Sequence, residues 1–347
     1  MPVSHLVLGS LLSLVLSCLL VGVTLRYALR RGLLDAPGRR RSHTVATPRG
    51  GGLGLLLAVL PVLCWAWLGP ASRLAPAEAV AMLGTLLLLM LVGWLDDHHN
   101  LPLLPRFALY LLASAVLAVV VLHDLQGWSP VLRLLAGLGL VLATGWSKNA
   151  HNFMDGIDGL LGMQMLFYFT ALGAVAWLLQ AAGVALACAG LAAACLGFLY
   201  YNRPPARIFM GDVGSVALGG LVAALAALLW RQAPDSVWPA LILSSAFIID
   251  ASLTLLRRMW LGRRWYTAHR EHAYQWLVRS GFSHAQVTLF YLAWNVLLAS
   301  PLALAALIWP RLAPGLLALI CAVGVLVHTA IRYYCHTTRD RRRRGAA

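Results

Sequence analysis

Long apolar runs, each about the length of a membrane-crossing helix, alternate with short polar segments along the whole chain. A hydrocarbon core about 30 Å thick needs about 20 apolar residues per helix. Windows of that length predict eleven spans, at residues 5–25, 51–69, 78–95, 107–122, 131–146, 160–178, 183–200, 214–230, 238–256, 285–307 and 314–334. The pattern therefore predicts an all-α polytopic integral membrane protein, with residues 1–347 forming a single transmembrane domain.

The polar segments carry most of their basic residues on one predicted side. Eleven spans put the two ends on opposite sides, and an outer N-terminus leaves 23 of the 27 Lys and Arg residues inside. Because positive loops stay in the cytoplasm, we predict an outer N-terminus and a cytoplasmic C-terminus. The predicted inner segments are the loops 26–50, 96–106, 147–159, 201–213 and 257–284 and the basic tail 335–347.

The composition excludes a soluble enzyme. Apolar residues make up 61% of the chain and charged residues 11%, whereas an ordinary soluble domain is about 25% charged. The net charge of +15 indicates anionic partners, which on this count alone are lipid headgroups, nucleic acid or phosphorylated substrates. The terminal run Arg341–Arg344 fits an anionic-lipid anchor better than a nucleic-acid patch, so we expect no nucleic-acid partner.

Acidic residues are costly in a membrane, and their placement is uneven. Apart from Asp340 in the basic tail, eight of the twelve fall at the predicted inner side: Asp35, Asp96, Asp97, Asp155, Asp158, Asp212, Asp250 and Glu271. Asp96 and Asp97 close the third span, and adjacent carboxylates need a cation, a shared proton or a basic partner. Asp250 lies within the ninth span, where helical spacing predicts an internal ion pair with Arg257 or Arg258.

Two polar motifs follow the fifth and seventh spans. The first reads Asn149-Ala-His-Asn152-Phe-Met-Asp155-Gly-Ile-Asp158-Gly, with amide and carboxylate groups every three residues. At a helix start this spacing puts them on one side. The second reads Asn202-Arg-Pro-Pro-Ala-Arg207-Ile-Phe209-Met-Gly-Asp212-Val-Gly-Ser215 and precedes a new helix, whose free N–H groups can hold an anion. Helix capping and turn formation could explain either motif alone. Because both motifs and the acidic pair are predicted to lie on one membrane face, we interpret them as a functional site.

Two basic segments supply possible phosphate ligands. Residues 39–49 are Arg-rich and lead into a glycine run, and the later segment is His269-Arg270-Glu271-His272. Both suit phosphate oxygens, although arginines that only set the topology are the alternative for the first. The histidines are too sparse for zinc, and carboxylates suit magnesium. The combination predicts metal-assisted phosphate chemistry on a lipid; an ion-coupled transporter, which would place its acids near mid-membrane, is the alternative.

At these residues the chain resembles the polyprenyl-phosphate N-acetylhexosamine-1-phosphate transferases of glycosyltransferase family 4, from Asp35 to about His284. Residues 41–52 and 268–275 look most like the bacterial branch that starts lipopolysaccharide O-antigen units. The resemblance implies transfer of N-acetylhexosamine 1-phosphate from a UDP-sugar to undecaprenyl phosphate, with release of UMP. It also implies Mg²⁺, with Mn²⁺ as a substitute, a bacterial inner-membrane location with a periplasmic N-terminus and a cytoplasmic active site, membrane lipids as partners, and a homodimer.

The resemblance also implies roles for individual residues. It makes Asp96, Asp97, Asp155 and Asp158 catalytic, and it makes Asp212, with Asp97, a metal ligand. The implied substrate-binding residues are Arg49, Arg106, Asn149, Asn152, Asn202, Arg207, Phe209, His269, Arg270 and His272. Phe209 would stack on uracil, Asn202 would contact the nucleoside, and the histidines would lie near the diphosphate. Glu271 departs from the family pattern and would either weaken diphosphate binding or orient an arginine. The sugar itself is left open.

Overall fold

The computed structural model describes residues 2–35, 46–123, 127–264 and 269–344, with side chains described as far as residue 338. Most of the predicted Arg-rich segment, including Arg39 and His43, lies outside the described residues, as do Asp124 and the side chains of Arg341–Arg344.

Most of the described chain is α-helical. Its α-helices are α1 (Val3–Arg31), α2 (Gly51–Leu68), α3 (Pro76–His99), α4 (Leu103–Leu122), α5 (Pro130–Phe153), α6 (Leu160–Leu178), α7 (Ala182–Asn202), α8 (Asp212–Gln232), α9 (Val237–Leu243), α10 (Ser245–Trp260), α11 (Ala273–Arg279), α12 (His284–Trp294), α13 (Ser300–Ile308) and α14 (Ala313–Arg344). Within the described residues, ten segments are long and apolar enough to cross a membrane, or eleven if α9 and α10 count as one bent span. The prediction of an all-α polytopic membrane protein is confirmed.

The ninth predicted span, residues 238–256, is broken. α9 and α10 meet at an angle of 69°. At the junction the Ser244 hydroxyl donates to the Leu241 carbonyl at 2.9 Å, and a side chain that bonds the backbone in this way bends a helix. Hydropathy could not predict the break because it counts apolar residues and carries no information about direction.

Several predicted loops are shorter than expected because the helices run further. α3 continues through Asp96 and Asp97 to His99, and α5 continues through Asn149 and Asn152 to Phe153. The expectation that the 149–158 motif starts a helix is therefore wrong: it ends α5 and forms the turn before α6. Gly159 closes that turn with a φ of 77°, which a residue with a side chain rarely adopts.

Glycines bring the first turns of α2 and α8 into direct backbone contact. A Cβ on Gly52 would lie 2.2 Å from the Cα of Gly214, and a Cβ on Gly93 of α3 would lie 2.5 Å from the Cα of Val213. Close approach through small residues is a common way for membrane helices to pack. It places the N-terminus of α8, with Asp212, between the polar ends of α2 and α3.

A short hairpin covers this end of the bundle. β1 (Leu34–Asp35) pairs antiparallel with β2 (Thr47–Pro48). The chain after β2 then pairs with residues 208–210: Phe209 N donates to Pro48 O at 2.8 Å, and the N–H groups of Gly51 and Gly52 donate to Phe209 O and Met210 O at 2.9 Å each. The two glycine N–H groups are thus used by the fold and are not free for phosphate oxygens.

Candidate active site

Asp97 joins the end of α3 to the start of α8. Its Oδ1 accepts the N–H of Asp212 and its Oδ2 accepts the N–H of Val213, each at 3.1 Å. Only 3% of the residue is exposed. A carboxylate in this position caps the helix and meets the positive end of its dipole. Both oxygens are therefore engaged in holding Asp212 in place.

Arg106, at the start of α4, lies between two carboxylates. Its Nη1 forms an ion pair with Asp96 and a second one with Asp212 Oδ2 at 3.3 Å. Asp96 Oδ1 also accepts the N–H of Leu101 at 2.7 Å. Arg49, which follows β2, adds a second cation: its Nε is 4.0 Å from Asp97 Oδ1, and its Nη2 donates to the Asp97 carbonyl. The acidic pair thus has basic partners, as adjacent carboxylates require.

Asn152 brings the 149–158 motif into this cluster. Its Nδ2 donates to Asp212 Oδ1 and to Ser215 Oγ, at 2.9 Å in each case. One oxygen of Asp212 therefore pairs with Arg106 and the other accepts a hydrogen bond from Asn152, while 31% of the Asp212 side chain stays exposed. An acid that is held by two donors and still open to solvent is placed to meet a ligand.

Asp155 lies in the turn after α5, next to Gly211. Burial and the negative charge of Asp97 raise the pKa of Asp155 to about 7, although the Gly211 N–H donates to its carboxylate and opposes the shift. A carboxyl group with this pKa exchanges a proton readily near neutral pH, which suits a general acid or base.

Asp158 and Asn202 serve the loops beside the cluster. Asp158 Oδ2 accepts the Ala206 N–H at 3.1 Å and lies 3.2 Å from His284 Nδ1. Asn202 Oδ1 accepts the Gly159 N–H at 3.0 Å, and its Nδ2 donates to the Ile208 carbonyl at 2.9 Å. Both ends of the Asn202 amide are occupied by the backbone, so its visible task is to hold two loops together.

We expect Asn202→Ala to lower the free energy of unfolding by about 2–3 kcal/mol, because it leaves a buried N–H and a buried carbonyl without their partner. Thermal unfolding of the detergent-solubilised protein measures the effect. Asn149→Ala is the matched control, since among the described residues the Asn149 amide donates to the Gly145 carbonyl of its own helix, at 2.8 Å, and so joins no separate segments. Equal stability of the two variants would contradict this account of Asn202.

The histidine segment packs against the end of α5. The Phe153 ring lies 6.4 Å from the His269 ring and 6.0 Å from the His272 ring, and the two imidazoles are 4.9 Å apart. Tyr274 donates to the Phe153 carbonyl at 3.0 Å. Burial and the neighbouring His272 lower the pKa of His269 to about 4, so His269 is neutral at pH 7. Its Nδ1 is buried and has no hydrogen-bond partner within the described part of the chain.

Glu271 pairs with arginines. It forms ion pairs with Arg258 of α10 and with Arg263, the latter at 3.0 Å. Burial alone would raise the pKa of Glu271, but these two cations outweigh it and hold the pKa below its usual range. Of the two roles considered for Glu271, the geometry favours orientation of an arginine.

Four other predicted substrate-binding residues are placed as follows. The Asn149 amide folds back on α5, as noted above. The Arg207 guanidinium lies over the rings of Tyr200 and Tyr201, at 4.9 and 4.8 Å from their centroids, and its Nη2 donates to the Tyr200 carbonyl. Phe209 is half-buried, two residues before Gly211. Arg270 is also half-buried, and its carbonyl accepts a bond from Arg279 at 3.2 Å.

The donor set suits a magnesium ion. Arg106 Nη1 pairs with both Asp96 and Asp212, so the two carboxylates lie close together, which they tolerate only with a proton or cation between them. Across the residues that the structure describes, no group of three or more His, Cys, Asp or Glu side chains is arranged as a metal site. Magnesium is commonly held by one or two carboxylates, with phosphates and water completing its shell, so the residues present fit the ion.

Two residues in or beside the site were not predicted. Ser215 accepts from Asn152, and its place three residues after Asp212 on a helix is a signal that could have identified it. Asp250 was expected to pair with Arg257 or Arg258, and this is wrong: it lies 3.7 Å from His272 Nδ1 and 3.6 Å from His328 Nε2, while Arg258 pairs with Glu271. No local signal reveals partners so far along the chain.

Comparison with known proteins shows which families the chain is similar to. Residues 79–230 match the model of glycosyl transferase family 4, a range that includes the acidic pair and both polar motifs. The chain is 32% identical over 227 residues to phospho-N-acetylmuramoyl-pentapeptide-transferase of Enterococcus hirae, covering 61% of this chain and 68% of the relative. It is 33% identical over 263 residues to the enzyme of that name from Synechococcus sp. (strain CC9605), covering 70% and 73%. Decaprenyl-phosphate N-acetylglucosaminephosphotransferase of Mycobacterium tuberculosis is 27% identical over 361 aligned positions, covering 93% and 88%.

Proposed function

Because the chain belongs to glycosyl transferase family 4, among the polyprenyl-phosphate hexosamine-1-phosphate transferases, we propose that it transfers a sugar 1-phosphate from a nucleotide sugar to a polyprenyl phosphate. One observation carries the proposal. Asp96, Asp212, Arg106 and Asn152 come from four different helices or helix ends and converge at one end of the bundle. A lipid phosphate and a soluble nucleotide can meet at such a surface.

The proposed donor is a UDP-N-acetylhexosamine and the proposed acceptor is undecaprenyl phosphate, so that the products are undecaprenyl-diphosphate-sugar and UMP. The name of the mycobacterial relative, decaprenyl-phosphate N-acetylglucosaminephosphotransferase, supports a polyprenyl acceptor and an N-acetylhexosamine donor. The likeness of residues 41–52 and 268–275 to the O-antigen branch supports a role in starting lipopolysaccharide O-antigen or a related glycan.

Magnesium is the proposed cofactor, with manganese as a substitute. Asp212 would hold it with Asp96, while Asp97, whose oxygens accept the first N–H groups of α8, keeps Asp212 in position. When bound, the ion neutralises phosphate charge. Arg49 and Arg106 supply fixed positive charge beside these carboxylates, and cations so placed stabilise charge that develops on a transferring phosphoryl group.

The proposed chemistry is a direct displacement. An oxygen of the lipid phosphate attacks the β-phosphorus of the nucleotide sugar, the bond from that phosphorus to the bridging oxygen breaks, and UMP leaves with the electron pair. Asp155 is the proposed acceptor of the proton from a singly protonated lipid phosphate, because its pKa is raised to about 7 by burial and by Asp97. No covalent intermediate on an aspartate is needed.

The site is proposed to face the cytoplasm of a bacterial inner membrane. The excess of basic residues in the loops at this end supports that orientation. A periplasm-dependent reporter fused after Ala347 is expected to be inactive, and the same reporter fused within the α2–α3 connection, at Ala71, is expected to be active. Activity of the C-terminal fusion would contradict the orientation.

Release of UMP from a UDP-sugar by purified enzyme tests the reaction. We expect release to require both undecaprenyl phosphate and magnesium, to stop on chelation and to return when magnesium is added back. Testing UDP-N-acetylglucosamine, UDP-N-acetylgalactosamine and their 6-deoxy forms identifies the sugar. The proposal would be overturned by UMP release in the absence of the lipid. It would also be overturned if no UDP-sugar released UMP in the presence of lipid and magnesium, and an ion-coupled transporter would then be the alternative to test.

A further inference from the structure

A second cluster of polar side chains lies inside the bundle, away from the carboxylates described above. Its centre is Asp250 of α10, which is 4% exposed. Tyr291 of α12 donates to Asp250 Oδ2 at 2.6 Å, and Thr254 donates to Oδ1 at 3.2 Å. His328 of α14 lies 3.6 Å from Oδ1 and 3.3 Å from the Thr254 hydroxyl. The cluster therefore joins three helices.

The same carboxylate reaches the histidine segment. Asp250 Oδ1 accepts the N–H of Ala273, the first residue of α11, at 2.9 Å, and lies 3.7 Å from His272 Nδ1. The neighbouring Glu271 is paired with Arg258, eight residues after Asp250 on α10. Glu271 is thus held by an ion pair with α10, and Asp250 holds the start of α11 through the Ala273 N–H, directly after His272.

Burial of the Asp250 carboxylate must be offset by other interactions. Removing it from water costs several kcal/mol, which is recovered only when its lone pairs are well satisfied. Here they are satisfied by groups from α10, α11 and α12, with a histidine of α14 alongside. Such a network is costly to move and so fixes the backbone that it contacts.

The consequence falls on His269. With Glu271 and the start of α11 held by α10, the His269 ring lies against the ring of Phe153, the residue after Asn152. The His269 Nδ1, like the His272 Nδ1, is buried and has no hydrogen-bond partner in the described segments. A ring nitrogen that carries the proton and has no partner can donate to an oxygen of a phosphorylated ligand.

We propose that Asp250 is a positioning residue: it holds the start of α11, and with it the preceding histidine segment, so that His269 faces the donor diphosphate. The inference rests on the proposed function for the identity of the ligand, but the positioning itself does not. Asp250 is buried and its oxygens accept bonds from Tyr291, Thr254 and Ala273, so it acts through the segment that it holds. It acts on binding of the donor and leaves the lipid acceptor unaffected.

Asp250→Asn tests the proposal, since asparagine keeps the shape and loses the charge. We expect KM for the UDP-sugar to rise about tenfold while KM for undecaprenyl phosphate stays within twofold. Hydrogen–deuterium exchange of the peptide covering residues 269–276, measured without substrate, is expected to become faster, because the amide keeps one acceptor oxygen and cannot accept both the Ala273 N–H and the Tyr291 hydroxyl. Tyr291→Phe removes one bond to Asp250 and the bond between the Tyr291 hydroxyl and the Tyr274 backbone, but it keeps the bond from the Ala273 N–H to Asp250. It should produce a smaller change of the same kind.

Glu78→Gln is the matched control. Glu78 is a half-buried acid at the opposite end of the bundle, where it pairs with Arg231 at 3.0 Å. We expect it to lower the unfolding temperature while leaving both KM values and the exchange of residues 269–276 as in the wild type.

The outcomes separate the two proposals. Unchanged exchange and unchanged donor KM in folded Asp250→Asn would overturn the positioning role. Equal rises in both KM values, or a rise in the Glu78→Gln control, would show a general loss of structure and would also overturn it. A wild-type enzyme without UMP release would refute the proposed function, and the exchange experiment would still decide whether Asp250 holds the segment.

Discussion

Asp212→Asn is expected to lower kcat at least about 100-fold while the protein still folds. Asp212 is the acid on which the site converges: Arg106 binds one of its oxygens and Asn152 the other, and part of the side chain stays exposed. Asparagine keeps the size and the backbone N–H that Asp97 accepts, but it loses the charge that would hold magnesium. The measurement is magnesium-dependent UMP release by purified protein, with thermal unfolding in parallel.

The unfolding temperature of this variant should be unchanged or raised, because one of three neighbouring carboxylates no longer repels the others. Asp235→Asn is the control: Asp235 is exposed in the short turn at the far end of α8, and its loss should leave turnover unaffected. Wild-type turnover by folded Asp212→Asn would show that Asp212 does not hold the metal. Trapping of a phospho-sugar on Asp96, Asp97 or Asp212 would refute direct displacement.

Gly52→Ala is expected to cost about 3 kcal/mol of stability, the upper range for overpacking. The added Cβ would meet the Cα and N of Gly214 at 2.2 and 2.6 Å, and backbone atoms cannot rotate away as a side chain can. α2 and α8 must separate, and Asp212 would move with α8 relative to Asp97 and Arg106. Because small displacements of catalytic groups are costly, activity should fall more than stability alone explains. Thermal unfolding and UMP release measure the two effects.

Gly84→Ala provides the comparison, since Gly84 is also helical but a Cβ there would meet no atom within 4 Å. Replacement of an unpacked helical glycine should be neutral or slightly stabilising, by up to about 1 kcal/mol. If both alanine variants behave alike, the contact between α2 and α8 does not position the site.

Membrane architecture was predictable because it depends on composition within local windows. Asp96 and Asp97 were correctly placed at the end of the third span, where the apolar run stops. The broken ninth span and the continuation of α5 through Asn152 were not predicted, since both depend on local hydrogen bonds and turn geometry that hydropathy does not record.

For the candidate site, too, some features were predictable from the sequence and others were not. The residue types, acids and amides with arginines and histidines on one side, indicated phosphate chemistry because each type has a limited set of tasks in a membrane. The role of each individual residue could not be predicted from the sequence. Asp97 caps a helix that begins 115 residues later, and Asn202 holds the Gly159 N–H, 43 residues earlier. Such pairings arise only when distant segments pack together.

What the sequence alone determined is thus the class of protein and the chemistry available to it, since hydrophobic run length and side-chain type are local properties. Tertiary structure alone decided which acid remains open to a ligand and which are occupied. Asp212, Asp97 and Asp250 are the same residue type, but one is partly exposed, one caps α8, and one is buried among Tyr291, His272 and His328. The physical reason is that the role of a carboxylate depends on the donors that the folded chain brings to its oxygens.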